Sequence, residues 1–172
     1  ADTVNGLCGY GSWTLGSKKG TYTYTDANDK TYEYSFNKAW QAGSGSTTKR
    51  SLYFTPQAPC KVTAVFLGGD AARSMTVYQS EDNKATQPGT GSVASVSLEV
   101  KDTQNPVYIY GGSSNKQIFA VIVEYYADGA GDSEDEIKDI DTPVQFVDWG
   151  GAKAVLTKND LTDNTKVWIQ DS

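Results

Sequence analysis

Three of the four tryptophans stand in glycine-rich and polar surroundings: Trp13 in GYGSWTLGS, Trp40 in NKAWQAGSGS and Trp149 in VDWGGAK. Trp168, in KVWIQ, reads as part of a strand. A large flat apolar ring on a polar loop suits stacking against a ligand, and a sugar ring is the usual partner for such a platform. Around Trp40 the chain supplies Lys38, Gln41 and Lys49, and Asp70 lies in the glycine turn GGD. Ammonium, amide and carboxylate groups of this kind bond sugar hydroxyls. The candidate ligand site is therefore Trp40, Lys38, Gln41, Lys49 and Asp70, with Trp13 and Trp149 as further platforms. The alternative for Trp40 is a ring folded over one end of the fold as a lid on the core.

Catalytic readings have less to stand on. The chain has no histidine, which excludes Ser-His-Asp and Cys-His arrangements and histidine-based zinc sites. A carboxylate pair of the glycosidase kind is compatible with the composition, but most acidic residues fall in turns and in one acidic stretch, where solvation accounts for them. Asp26-x-Asn28-Asp29 offers oxygen ligands without the glycine and distal glutamate of an EF-hand loop. Gly68-Gly69 and Gly111-Gly112 are turn formers outside the strand-to-helix setting of a phosphate loop. The expectation is a binding module, not an enzyme, with no metal and no cofactor.

Charge and length narrow the partners. Fifteen basic against 21 acidic residues give a net charge of −6 and a pI near 4.6. With no basic run, the expectation is no nucleic-acid partner. No apolar stretch approaches the roughly 18 residues of a membrane span, so no membrane partner is expected either. The 172 residues suit one domain, or one domain plus an appendage, with a sound core. The start Ala-Asp-Thr is compatible with a processed end. A bridge between Cys8 and Cys60 would close a loop of about 50 residues and stabilise by roughly 4 kcal/mol. Equally, Cys60 in APCKV reads as a small buried residue.

The elements that must position these residues are strands. Residues 21–25 and 32–36 alternate aromatic and polar side chains around a polar turn, a hairpin with one aromatic face. Tyr22, Tyr24, Tyr32 and Tyr34 then read as core or cross-strand pairs. Further strands are expected at 51–55, 61–67, 73–78, 93–100, 107–110 and 117–126, the last nearly continuous in apolar residues and so central. Eight short strands with turns between them read as an all-β antiparallel sandwich of the jelly-roll or Ig-like class. That module spans 1–126. An acidic linker or loop follows at 127–141, with a weak helical candidate at 134–140. Residues 142–172 hold three more strand candidates (143–147, 152–156 and 166–169), docked on the sandwich or beginning a further domain. If successive strands alternate direction, loops 37–49, 68–72 and 101–106 share one end. Loops 56–59, 80–91 and 111–116 share the other.

Arg50-x-Leu52-x-Phe54, Pro59-Cys60-x-Val62-x-Ala64-x-Phe66, Arg73-x-Met75-x-Val77, Tyr108-Ile109-Tyr110-Gly111-Gly112 and the apolar run 118–123 form a distinctive framework. Over roughly residues 21–126 it resembles the β-sandwich carbohydrate-binding modules of secreted bacterial pectate lyases and of cell-surface polysaccharide-degrading systems in gut and rumen Firmicutes. The resemblance implies a sandwich fold, an extracellular or cell-surface location, a polysaccharide or oligosaccharide partner, and neighbouring modules in a larger secreted protein. Related pectin-binding modules hold their acidic polymer through lysines, and Lys18, Lys19, Lys38, Lys49 and Arg50 could form a local patch. The net charge nevertheless favours a neutral plant glycan. Platforms on separate loops suit a curved, starch-like α-glucan, whereas a row on a strand face suits a straight chain. The alternatives are a pectin-binding module and a structural or protein-binding scaffold or adhesion domain.

Overall fold

The structure is a computed structural model that describes residues 2–4, 7–9, 14–26, 29, 31–56, 58–125, 144–145, 154–156 and 165–170. Its strands are β1 (Asp2–Val4), β2 (Leu7–Gly9), β3 (Thr14–Thr25), β4 (Thr31–Ala42), β5 (Leu52–Phe54), β6 (Cys60–Leu67) and β7 (Met75–Ser80). They continue as β8 (Asn83–Gln87), β9 (Val93–Val100), β10 (Val107–Gly111), β11 (Lys116–Tyr125), β12 (Val144–Gln145), β13 (Ala154–Leu156) and β14 (Thr165–Gln170). One sheet has the order β1-β2-β5-β10-β7-β8. The other is built on β11, which pairs with β6 along one edge, and β6 pairs in turn with β9. On its other edge β11 pairs first with β4 at Lys116–Ile118 and then with β14 at Ala120–Glu124. All these pairings are antiparallel, and the two sheets pack as a sandwich.

Period-two alternation places the core. In β6, Val62, Ala64 and Phe66 enter the space between the sheets, meeting Leu52, Phe54, Met75, Val77, Val107 and Ile109 from the facing sheet. The intervening Val65 belongs to a second apolar cluster on the outer side, with Tyr24, Tyr34, Phe36, Ala39, Phe119, Ala120 and Ile122. Strand β11 serves both clusters because a register shift between Ile118 and Ala120 changes its parity: Ile118, Val121 and Val123 face the inner core. An extra residue in one strand of a pair has this effect. Burial on both faces explains why 118–123 is almost wholly apolar.

The β3–β4 hairpin supplies the outer cover. Trp40 near its base lies in the inner core, while Phe36, Tyr34 and Tyr24 further along lie over the outer face of the β6–β11 sheet. Tyr22 faces Tyr34 and Tyr24 faces Tyr32 across the hairpin. Phe36 stacks on Phe119 at 5.0 Å between centroids. Tyr22 donates to Ser95 Oγ at 3.0 Å, Tyr24 donates to the buried Glu124, and Lys61 lies 5.2 Å over the Tyr24 ring. The approach is close enough that a Cβ on Gly20 would meet Val93 Cγ2 at 2.9 Å and Phe119 at 3.0 Å. The tyrosines of the hairpin are thus packing residues, as their alternation indicates.

Two expectations change. Residues 80–91 are not one loop: β8 forms inside them and pairs with β7. Its sequence, NKATQ, has almost no apolar content because it is an edge strand with half its side chains in solvent. One additional crossing reverses the sense of everything downstream. Loop 112–115 therefore joins loops 43–51 and 68–74, as Gly45 N–H donating to Gly111 O at 3.0 Å and Ser113 N–H to Ala72 O at 3.1 Å record. Loop 101–106 goes to the opposite end, where Gln79 Nε2 donates to Asp102 O. Cys60 is a free thiol, fully buried, so the bridge to Cys8 is not made. Burial, with the nearby Glu99 carboxylate adding to it, pushes the Cys60 thiol up to about 12. The expected linker 127–141 lies outside the described residues. Beyond it, β14 extends the β11 sheet, and β13 and β12 follow it in order.

Candidate functional site

Among the described residues singled out in the sequence, Trp40, Gln41, Lys49 and Asp70 do not form one exposed platform. Trp40 is 2% exposed and packs between the sheets, with Ile118 as its register partner. Its ring offers no open face to a sugar, so of the two readings the structure gives the core one. Gln41 is half-buried, and its Oε1 accepts from Gln117 Nε2 at 3.4 Å. Lys49 is exposed in loop 43–51, where its N–H donates to Ser46 O at 3.2 Å. Asp70 is exposed, but its carboxylate closes the β6–β7 turn: it accepts from the N–H groups of Ala72 and Arg73 at 3.1 and 3.3 Å and pairs with the Arg73 guanidinium. Lys38 is in β4 opposite Ser17, its side chain outside the description, and Trp13 and Trp149 lie outside the described residues.

What organises that end of the sandwich is Lys116, which sequence reasoning passed over. It is 2% exposed, and its Nζ donates to Gly43 O at 3.0 Å, Gly112 O at 3.0 Å and Ser114 O at 2.7 Å. An ammonium has three protons, so the side chain is fully used in tying two loops together. Gly111 makes room for it, since a Cβ there would lie 1.9 Å from Lys116 Cδ. Desolvation, with Arg50 and Arg73 close by, pulls the Lys116 pKa down to about 8. This end is a clasp in which Lys116, Asp70 and Arg73 bond the end's own loops.

A second arrangement lies on the solvent face of the other sheet. In β5, β7 and β10 the aliphatic residues point inward: Leu52, Phe54, Met75, Val77, Val107 and Ile109 are all in the core. Alternation sends Tyr53, Tyr78, Tyr108 and Tyr110 outward, each half-buried. Registration aligns them, with Tyr108 directly opposite Tyr53 on one side and Tyr78 on the other. Tyr53 and Tyr108 have centroids 5.5 Å apart, inclined at 32°, and Tyr78 and Tyr110 have centroids 6.4 Å apart at 51°. The result is a ribbed aromatic strip crossing three adjacent strands, which at about 4.8 Å per strand runs about 10 Å from Tyr53 to Tyr78.

The charges beside this strip cancel. Lys84 Nζ bonds Glu81 Oε1 at 2.9 Å, which holds the Glu81 carboxyl below and the Lys84 ammonium above their usual ranges. Desolvation and a hydrogen bond with Glu81 raise the Tyr78 phenol, and desolvation raises that of Tyr110. The strip is apolar with hydroxyl tips and is mounted on three hydrogen-bonded strands. The signal for it was present as outward tyrosines in LYF, TVY and VYIY, each a position of the same parity on strands that prove to be neighbours.

No protein-family model matches the chain, and neither does any curated protein. Of the resemblance noted in the sequence, the structure establishes the two-sheet antiparallel sandwich.

Proposed function

We propose that this chain is a non-catalytic polysaccharide-binding module whose contact surface is the strip of Tyr53, Tyr108, Tyr78 and Tyr110. The observation that carries the reading is this half-buried aromatic row on the solvent face of a sheet, where a core has no use for it. Tyrosine gives large amphipathic contact area for little conformational entropy, its ring meeting the apolar face of a sugar and its hydroxyl the polar rim. A row carried by strands follows a straight ligand, so an extended neutral glycan is favoured over a curved starch-like one. The cancelled Glu81–Lys84 pair and the chain's net charge of −6 both disfavour polygalacturonate.

The framework resemblance supports the same class: a carbohydrate-binding module, extracellular or at a cell surface, acting beside other modules of a larger secreted protein. Single-site affinity is modest, and neighbouring modules raise it through effective concentration. Affinity electrophoresis against xylan, mixed-linkage β-glucan, starch and polygalacturonate tests the proposal. Retardation on a neutral extended polymer, lost in Tyr108→Ala, is the expected result. Retardation on none of the four overturns it and leaves the protein-binding reading, for which the same strip would be the contact surface.

A further inference from the structure

The end of the sandwich opposite the Lys116 clasp carries a cleft of about 400 Å³ where β7, β8 and β9 meet, lined by Gln79, Ser80, Asn83, Glu99, Lys101 and Asp102. Its polar groups are held in set orientations. Gln79 is 9% exposed, and its Nε2 donates to Asp102 O and Asn105 O, both at 2.8 Å. Both amide protons are thereby used, the amide plane is fixed, and Oε1 is the atom left for the cleft. Asn83 Nδ2 donates to Glu99 O at 3.0 Å, which leaves Oδ1 in the same way. The Asp102 carboxylate accepts from Asn105 Nδ2 and from the Gln104 N–H, each at 2.7 Å. Those bonds hold its pKa below the usual carboxylate range, and an ionised carboxylate has acceptor capacity beyond two bonds.

We propose that this cleft is a second binding site, for a neutral polyhydroxylated ligand: one sugar ring or the end of a glycan chain. Three oriented acceptors, from Gln79, Asn83 and Asp102, call for a ligand with several O–H donors. Ser80 and Lys101 supply the donors that the same hydroxyls accept from. Two carboxylates against one ammonium in the lining repel an anionic sugar. A divalent cation of the calcium type needs six to eight oxygens, the described residues hold no cluster of three metal-ligating side chains, and Lys101 would oppose the charge. The volume falls in the lower part of the range of small-ligand sites, roughly 300–1,000 Å³. The cleft is lined by none of the four tyrosines of the strip, so this site does not depend on the strip's role.

The test is a chemical-shift titration of the whole chain with glucose, xylose and, separately, calcium chloride. The expected result is a saturable millimolar shift with a sugar, confined to the amides of residues 79–83 and 99–105. Asn83→Ala and the exposed Lys101→Ala should each weaken it roughly three- to tenfold, as loss of one hydrogen bond does, whereas Tyr108→Ala should leave it unchanged. Absence of shifts at these amides overturns the proposal. So do shifts with calcium but not with sugars, and so does full affinity in a folded Lys101→Ala protein.

Discussion

Trp40 shows how a single residue's context can mislead. Its neighbours in NKAWQAGSGS are polar and glycine-rich because β4 ends just beyond it and a loop begins, yet the indole itself is 2% exposed between the sheets. Trp40→Ala should therefore cost about 3–5 kcal/mol of stability, as large-to-small changes in cores do, and urea denaturation checks this. A variant of wild-type stability would contradict the packing described. Cys60 supplies a pH test. Its folded pKa of about 12 exceeds the ordinary thiol value of 9.0, so between these values the unfolded chain releases a proton that the folded chain keeps. Its contribution to stability is complete below pH 9 and is lost as the pH rises toward 12. The stability gap between wild type and Cys60→Ala should thus be constant up to about pH 9 and narrow above it, read as urea midpoints across that range. Lys116 and the outward tyrosines were equally hard to single out: a lysine two positions before an apolar strand reads as solvated, and tyrosine in a strand reads as core.

At the level of elements the alternation in the sequence did most of the work. The eight expected strands all form, because aliphatic and aromatic residues at every second position can be buried only on one face of a sheet. The hairpin is longer than its aromatic segment: residues 14–17 also pair with 38–41, and TLGS and KAWQ carry no aromatic–polar alternation to announce it. Strand β8 was missed for the complementary reason: an edge strand half in solvent carries little apolar signal, and one missing strand inverted the assignment of later loops to ends. The loops that do share an end are held by Lys116. Replacing it with Met leaves the carbonyls of Gly43, Gly112 and Ser114 without their donor, and should cost about 2 kcal/mol. Hydrogen exchange should then show faster opening of residues 43–51 and 111–115 with the β6–β9 pairing unaffected. Protection unchanged in those loops would count against the clasp.

Seen whole, the molecule divides its aromatic residues by task. The hairpin tyrosines, Phe36 and Trp40 are spent on two packed layers, while the strip of Tyr53, Tyr108, Tyr78 and Tyr110 stays at the surface of a sheet made rigid by its own core. The sandwich was legible from periodicity and from the framework resemblance. The strip was not, because it exists only once β5, β10 and β7 are known to be neighbours, and both adjacencies join segments far apart in sequence. The chain has no histidine, which excludes histidine-dependent catalysis, and the proposed contact surface has moved from loop tryptophans to a strand face. The most direct test is isothermal titration calorimetry of a linear neutral oligosaccharide, drawn from the polymer that retards the protein, against wild type and Tyr53→Ala/Tyr108→Ala. The predicted result is a tighter phase of binding that weakens at least about tenfold in the variant, a loss of about 1.4 kcal/mol, with the fold and the millimolar binding at the β7–β9 cleft retained. Equal affinity in the two proteins, or affinity lost on changing Lys49 and Asp70 instead, would contradict it.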